Sequence, residues 1–229
     1  MGQCVQQQKP PDSPARLFHL IFRFILGYSL SMKLLIGTYN QNKLKQFKEI
    51  ITRLMPDVEL LSLKEVGITD DVAEDGEDLL TNAKKKAEFY GRKSGLLTLS
   101  DDLGLFVDAL DGEPGLHSKR WHEGTDQERY LKILERMKDV AKEKRTCRYT
   151  GVLAVYDPVK KYFWTYEQDL EGYIADEPLE GFGFGYDPIV IVSKFNKYYS
   201  QFTDEERAAV SHRGRGIAEL IKSKTYANL

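Results

Sequence analysis

Residues 99–120 read LSDDLGLFVDALDGEPGLHSKR, a stretch that joins two adjacent acids to an apolar run and a turn rich in glycine. The adjacent carboxylates Asp101 and Asp102 precede an apolar run, Leu103–Leu110, which ends at the turn sequence Asp111–Gly115. Because an unpaired carboxylate is strongly disfavoured in a buried strand, a pair of them at a strand end usually holds a cation or takes part in acid–base chemistry. A solvated Asp-Asp pair is the alternative, and the local sequence leaves both open.

The composition is that of a globular protein without a strong electrostatic preference. The chain has 229 residues, of which 41% are hydrophobic and 30% are charged, and its formal net charge is −2. This charge gives no drive toward nucleic acid or anionic membranes, so neither is expected as a partner. The two cysteines, Cys4 and Cys147, form no disulfide framework or metal cluster, and the four histidines show no metal-ligand spacing. A hard cation held by oxygen ligands is therefore the metal that the sequence favours.

The first 31 residues differ from the remainder. Met1–Arg16 is polar and contains three prolines, which predicts disorder. Leu17–Leu30 is apolar but interrupted by Arg23, and it is too short for a comfortable membrane span. No convincing cleavable signal is present, and a cytoplasmic protein is expected. Residues 1–31 are interpreted as an extension outside the fold, and 32–229 as one domain; peripheral membrane contact through the extension is the minority alternative.

The domain begins with a strand, a polar loop and a helix. Lys33–Gly37 is a short apolar strand candidate, and apolar residues with helical spacing predict a helix over Leu44–Leu54. The intervening loop, Thr38–Lys43, precedes a helix N-terminus, whose free N–H groups suit a phosphate, and Lys43 adds a positive charge. The spacing is not that of a Walker loop, and an Asn-capped helix after a strand is the simpler alternative.

The next segment contains an acidic loop and a helix. Val66–Glu77 carries five acids, most of which should be solvated, and one of them is a candidate cation ligand. Asp78–Ser94 is predicted to be a helix that ends at Gly95. Leu96–Ser100 is then a strand that leads into the acidic pair.

The second half of the domain is dominated by strands. A helix is predicted over Asp126–Lys144, followed by an antiparallel pair formed by Cys147–Tyr156 and Lys161–Gln168. Early alternation of strands and helices with later antiparallel strands predicts a three-layer α/β fold around a mixed sheet.

Two further segments suggest recognition of a flat ligand. In Gly181–Pro188, glycines alternate with aromatic residues, so that the backbone can approach a ring while side chains stack on it, and Asp187 can accept bonds from ring N–H groups. An ordinary aromatic turn is the alternative. Ser211–Arg213 follows a helix predicted to start at Thr203, with Glu206 completing a capping box, and supplies donors close to a second helix, Gly216–Lys222.

These motifs, taken in order from Met32 to about Leu220, resemble the inosine triphosphate pyrophosphatase or Ham1-like family. The resemblance is carried by Thr38-x-Asn40-x-x-Lys43, Ser100–Asp102 with Gly104–Leu105 and Val107–Leu110, Pro114–Gly115, Gly183–Pro188 and Ser211–Arg213. It implies an α/β fold with two lobes around a central substrate groove, usually in a homodimer. It also implies Mg²⁺-dependent cleavage of a nucleoside triphosphate to monophosphate and pyrophosphate, with hypoxanthine and xanthine as favoured bases.

The resemblance also implies roles for individual residues. Glu74 would bind the metal, and Asp102 would be the second metal ligand or the catalytic base. The substrate-binding residues would be Thr38, Tyr39, Asn40, Gln41, Asn42 and Lys43 for the triphosphate, Lys86, Leu103 and Lys119 near the phosphates, and Phe184, Gly185, Tyr186, Asp187, Arg207, His212 and Arg213 near the base.

Three positions depart from the family pattern. Leu103 stands where a small hydroxyl residue is usual, Gln46 replaces a Glu, and Arg207 replaces a Lys. Leu103 and Gln46 motivate an alternative function, a nucleotide-binding protein with little turnover. A related pyrophosphatase that acts on modified pyrimidine nucleotides is a further alternative.

Overall fold

A computed structural model describes residues 3–4, 32–179 and 184–223. The predictions for the N-terminal extension therefore lie outside the described residues, except at Gln3–Cys4, and so does the Gly181–Gly183 part of the predicted ring-binding segment. These two residues form a short strand that pairs with Tyr166 and Glu167, a contact that the composition does not predict. Among the described residues, no helix combines the length and apolar character that a membrane crossing requires.

The described residues form one mixed sheet with helices on both of its faces. The strands are β1 (Gln3–Cys4), β2 (Met32–Ile36), β3 (Val58–Ser62), β4 (Leu97–Val107), β5 (Pro114–Gly115), β6 (Thr146–Asp157), β7 (Tyr162–Ile174), β8 (Val190–Val192) and β9 (Lys197–Tyr198). The helices are α1 (Gln41–Leu54), α2 (Leu79–Ser94), α3 (Asp126–Met137), α4 (Asp204–Val210) and α5 (His212–Lys222). The strand order is β3-β2-β4-β6-β7-β8-β9, with β1 on β7 and β5 on β4. The predicted α/β fold with a mixed sheet is confirmed.

Two separate apolar cores lie along one face of the sheet. In the first core, α1 and α5 pack on β2, β4 and β6 around Phe47, Leu99 and Ile217. In the second core, α3 packs on the far ends of β4 and β6 around Leu105 and Ile133. Leu99 and Leu105 stand on the same strand, so β4 runs from one core to the other. The face between the two cores is a groove that crosses β4 at Asp101–Leu103.

The opposite face is covered by α2. Ala83 and Ala87 of this helix pack on Val152, Ala154 and Tyr156 of β6, which alternate with the residues that face the first core. Small residues on α2 bring the helix close to the sheet, and Gly91 does the same, since a Cβ there would lie 2.7 Å from the Tyr156 ring. Side chains from α2 therefore reach the groove from the second face.

One edge of β4 is only partly paired. On the side away from β6, β2 pairs with β4 as far as Leu99, and β5 pairs with it again from Leu105. In the described part of the chain, no strand pairs with this edge between Ser100 and Gly104. The acidic pair therefore borders a gap within the sheet, where a ligand can approach β4 from both faces.

Several predictions of element boundaries are wrong. The acidic pair is not at a strand end, because β4 continues through it to Val107. The helix expected over Asp126–Lys144 ends at Met137 and is followed by a separate 3₁₀ turn, Lys142–Lys144. His212 and Arg213 do not precede the last helix but form its first turn, capped by the Ser211 side chain.

Candidate active site

A cavity of about 430 Å³ occupies the gap and the groove, within the range of small-molecule sites. Of the predicted site residues, it brings together Thr38, Tyr39, Asn40, Asn42, Lys43, Glu74, Lys86, Asp102, Leu103, Lys119, Phe184, Gly185, Tyr186, Asp187, Arg207, His212 and Arg213. Gln41 is not among the lining residues. Its exposed side chain instead donates to the Tyr39 carbonyl over 3.2 Å. The predicted set therefore surrounds one space with a single exception.

The two carboxylates of the acidic pair lie on opposite faces of β4. Successive side chains of a strand point to opposite faces, so Asp101 lies on the α1/α5 face and Asp102 on the α2 face. Both are buried. Asp102 lines the cavity, whereas Asp101 lies behind the residues that line it.

Asp101 is surrounded by basic side chains. Lys43 Nζ lies 3.1 Å from its Oδ1, and Arg213 Nη2 donates to its Oδ2 over 2.6 Å. Burial alone would raise the pKa of Asp101, but Arg213, Lys43 and His212 hold it well below its usual range. Burial also lowers the pKa of Lys43, and Asp101 opposes that shift. Asp101 is thus an ionised anchor for two cations that face the cavity.

His212 completes this group as a neutral ring. Its Nε2 lies 3.2 Å from Asp101 Oδ2, and because an ionised carboxylate only accepts, the proton resides on Nε2. Burial, with the nearby Arg213, lowers the pKa of His212 to about 4. The ring also needs Gly151 beneath it, since a Cβ at that position would lie 2.2 Å from the His212 Cγ.

Asp102 belongs to a second charged group on the other face. Lys86 Nζ lies 3.3 Å from Asp102 Oδ1 and 2.5 Å from Glu74 Oε1. Burial raises the pKa of Asp102 although Lys86 opposes the shift. Burial would likewise raise the pKa of Glu74, but Lys86 lowers it. Burial alone would lower the pKa of Lys86, and the two carboxylates raise it above its ordinary value.

The pair Glu74 and Asp102 fits a hard divalent cation that is shared with a ligand. Both carboxylates converge on one cationic atom, Lys86 Nζ, so a single position lies within reach of both. Within the described residues, no group of three or more His, Cys, Asp or Glu side chains is arranged as a metal site. Two carboxylates with phosphate oxygens and waters are the donor set usual for Mg²⁺, which dehydrates reluctantly.

The polar loop predicted over Thr38–Lys43 is shorter than expected, because α1 begins at Gln41 and only residues 37–40 join it to β2. Asn40 caps this helix, because its Oδ1 accepts from the backbone N–H groups of Asn42 (3.0 Å) and Lys43 (3.2 Å). The loop is tied to its neighbours by Tyr39, whose hydroxyl donates to the carbonyls of Ile68 and Asp70. The positive end of α1 and the Lys43 ammonium therefore face the cavity together, as anion binding requires.

At the opposite end, Asp187 forms part of the wall. Its Oδ1 accepts from the Tyr149 hydroxyl over 3.0 Å, and its Oδ2 accepts from Phe184 N and Arg207 Nη1. Burial raises the pKa of Asp187 although Arg207 opposes the shift. Sequence reasoning expected this carboxylate to accept from a bound ring. The structure instead engages both oxygens with protein donors, so that Asp187 holds the Phe184 loop and Arg207 in place.

Arg207 and Gln46 occupy defined places in these networks. Arg207 also donates to the Tyr199 carbonyl over 2.7 Å and lies 4.2 Å from the centre of the Tyr199 ring. Gln46 accepts from Arg213 Nη1 over 2.8 Å. The amide at position 46 therefore still holds an arginine of the site, although a Glu is usual in the family.

Sequence reasoning missed several residues that line the cavity: Tyr149, Gln168, Leu170, Tyr199, Arg120, Asp126 and Arg129. Tyr149, Gln168 and Leu170 lie on β6 and β7, where inward alternation identifies the face but not the cavity it borders. Arg120 directly follows Lys119, and this adjacency was the one available signal.

Comparisons with known proteins agree with this geometry. The sequence model of the Ham1 family matches residues 34–223. A Bacillus subtilis protein named dITP/XTP pyrophosphatase is 39% identical over 190 residues, which cover 82% of this chain and 94% of that protein.

Solved structures of Ham1 proteins are similar to this fold as well. The structure of a HAM1 protein from Coxiella burnetii superposes with a TM-score of 0.74 at 29% identity, covering 85% of this chain and 99% of that one. A nucleoside-triphosphatase, dITP/XTP pyrophosphatase, from Mycobacterium abscessus has a TM-score of 0.66 at 35% identity, covering 82% and 98%. The chain is therefore a member of the Ham1 family.

Proposed function

We propose that this protein hydrolyses the non-standard purine nucleoside triphosphates ITP, dITP and XTP to the monophosphate and pyrophosphate, and so cleanses the nucleotide pool. The observation that carries the proposal is the polarity of the cavity. One end combines Lys43, Lys86 and the α1 N-terminus with the carboxylates of Glu74 and Asp102, and the other end includes Tyr149, Leu105, Leu170 and Phe184. Such a cavity matches a nucleotide, because the phosphates need a charged environment and the flat base needs apolar and aromatic contacts.

The phosphate end suits attack on phosphorus. Such a reaction needs neutralised oxygens, an oriented water and a stabilised leaving group. Lys43, Lys86 and Lys119 would neutralise the phosphates, and the backbone of Thr38–Asn42 would orient them. Asp102, which lines the cavity, would bind the metal or take the proton of the attacking water.

We propose Mg²⁺ as the cofactor, held by Glu74 and Asp102. When bound, it would polarise the phosphate oxygens and stabilise the charge that develops on the leaving group. Lys86, whose ammonium lies between the two carboxylates, would then be available to the phosphates.

The base end would distinguish the substrates through their 6-oxo group. Hypoxanthine and xanthine present an acceptor where adenine presents an amino donor. Arg213 donates to Asp101 and Gln46 beside Lys43, and the Phe184 and Gly185 N–H groups donate to Asp187 and Asp126. At the base end, the buried cation of Arg207, which lines the cavity and is held by Asp187, would favour that acceptor. The side chains of Leu105 and Tyr149 would provide apolar contact for the ring.

A substrate panel tests the proposal. ITP, dITP, XTP, GTP, ATP and a modified pyrimidine triphosphate are each supplied with Mg²⁺, and pyrophosphate and orthophosphate are measured separately. We expect pyrophosphate from the first three, with kcat reduced about 10² to 10⁴-fold in Asp102→Asn. Orthophosphate as the first product would refute the reaction, and full activity of the variant would refute the role of Asp102.

The same panel decides between the alternatives. Tight binding of ITP without turnover would favour a nucleotide-binding protein, and preference for the modified pyrimidine would favour the related pyrophosphatase. We further propose a cytoplasmic homodimer, on the strength of the family resemblance. Sedimentation of the full chain at micromolar concentration tests the dimer, and fractionation of cells tests the location.

A further inference from the structure

The acidic loop that carries Glu74 has little structure of its own. Residues 63–78 connect β3 to α2 without a helix or strand. A ligand for a metal must be held in place by other contacts, since an unsupported loop side chain moves with its backbone. The contacts around Glu74 therefore decide how well its carboxylate is held facing the position that it shares with Asp102.

One side of the loop is tied to α2. Gly76 N donates to Asn82 Oδ1 over 2.8 Å, and Asp75 forms an ion pair with Lys85. At Glu74 itself, the carboxylate is held by Lys86. A divalent cation bound by Glu74 and Asp102 would compete with this ammonium, because both occupy the position between the two carboxylates. Lys86 would therefore fix the Glu74 carboxylate less firmly when the cation is bound, which is the state in which the reaction would occur.

The other side is tied across the mouth of the cavity by an arginine. Arg120 Nη2 donates to the Glu74 carbonyl over 2.6 Å, a contact between residues 46 positions apart. The segment that carries Arg120 is fixed two residues earlier, at Ser118. Leu105 N of β4 donates to the Ser118 Oγ, and the Tyr186 hydroxyl donates to the Ser118 carbonyl. This contact binds the backbone, so a cation on the Glu74 carboxylate does not displace it.

We propose that Arg120 is a positioning residue that fixes the backbone of Glu74, so that its carboxylate stays aimed at the cation position opposite Asp102. The inference rests on the proposed function, because it assigns Arg120 a part in the same site. Arg120 also joins the acidic loop to the segment of Lys119 and, through Ser118, to Tyr186 at the base end.

The test compares Arg120→Gln and Arg120→Lys with Arg92→Gln. Arg92 is a matched control, an exposed arginine on α2 that pairs with Glu88. Three quantities are measured: amide hydrogen exchange of residues 70–77 in the metal-free protein, Mn²⁺ binding by electron paramagnetic resonance, and the Mg²⁺ concentration for half-maximal ITP hydrolysis.

We expect Arg120→Gln to speed exchange in residues 70–77 and to weaken Mn²⁺ binding about 10-fold, the lower range for loss of a residue that supports a metal ligand. The half-maximal Mg²⁺ concentration should rise by a similar factor, while kcat at saturating Mg²⁺ is largely kept. Arg120→Lys keeps a cationic donor, so its exchange rates and Mn²⁺ affinity should lie between those of the wild type and Arg120→Gln. Arg92→Gln should match the wild type in all three measurements.

The proposal would be overturned by unchanged exchange, by faster exchange with unchanged Mn²⁺ binding, or by a loss of kcat that saturating Mg²⁺ does not restore. The last result would place Arg120 in contact with the substrate. Failure of the wild type to hydrolyse any triphosphate would instead refute the proposed function, while exchange and Mn²⁺ binding would still test Arg120.

Discussion

Asp101 and Asp102 are neighbours on β4, yet one binds Arg213 on the α1/α5 face and the other lies 3.3 Å from Lys86 on the α2 face. Strand alternation separates them although their backbones are joined by one peptide bond. Asp101, with its low pKa, is a structural counter-ion, whereas Asp102 borders the cavity with a raised pKa. Substitution of the two should therefore affect different properties.

Asp101→Asn should mainly reduce stability. The change leaves Lys43 and Arg213 buried without their carboxylate, which costs about 3–5 kcal/mol when one partner of a buried pair is removed. Urea denaturation measures the free energy of unfolding, with Asp102→Asn as the matched comparison. Asp102→Asn should cost less, because burial already disfavours the Asp102 carboxylate and Lys86 keeps Glu74 as a partner. Equal losses of stability in the two variants would contradict these separate roles.

The neutral state of His212 should make stability depend on pH. Its pKa of about 4 lies below the ordinary value of 6.5, so between these values the unfolded chain binds a proton that the native protein does not. Stability should therefore fall as the pH is lowered from 6.5 toward 4, by up to roughly 3 kcal/mol. Urea denaturation at pH 5 and pH 7 measures this slope.

His212→Gln should flatten the slope, because the glutamine does not titrate. The exposed His122 provides the control, and His122→Gln should keep the wild-type slope. The same slope in His212→Gln as in the wild type would show that other groups cause the pH dependence.

Gly151→Ala should displace His212. The three atoms nearest to the added Cβ all belong to the His212 ring, at 2.2–2.7 Å. Overpacking of this kind typically costs about 1–3 kcal/mol, and the KM for ITP should rise as the ring moves. In a double-mutant cycle, His212→Ala removes the clash, so the two losses should be less than additive. If the two losses of stability were fully additive, the strain caused by Gly151→Ala would not arise from contact with His212.

Asn40 should contribute to both stability and phosphate binding. Asn40→Ala removes the cap of α1 and should cost about 1 kcal/mol of stability. Asn40→Asp keeps a good capping oxygen, so stability should be retained, but its charge repels phosphates and the KM for ITP should rise. Thermal unfolding and steady-state kinetics of both variants measure the two effects, and an unchanged KM in Asn40→Asp would place the phosphates away from this loop.

Local signals in the sequence predicted much of the framework. The capping box of Thr203 and Glu206 is present, and Gly95 ends α2 in the left-handed conformation at a φ of 71°. The antiparallel pair β6–β7 is also confirmed, over longer strands than expected. These features depend on nearby residues or on a regular repeat, which is why one sequence is enough to identify them.

The sequence was less informative where distant segments meet. Nothing near Asp187 indicates that Tyr149 and Arg207 occupy its oxygens, since these partners are 38 and 20 residues away. The acidic pair was expected at a strand end, because the sequence does not show that β4 extends beyond its partner β2. The separation of Asp101 from Asp102 follows from that same extension.

The interrupted pairing of β4 has a consequence for the protein without substrate. In the described part of the chain, no strand links the β2 side of this edge to the β5 side between Ser100 and Gly104, although most of these residues are buried. A ligand that filled the gap would connect the β2 and β5 sides of the sheet, so its binding should make unfolding more cooperative as well as raise its free energy.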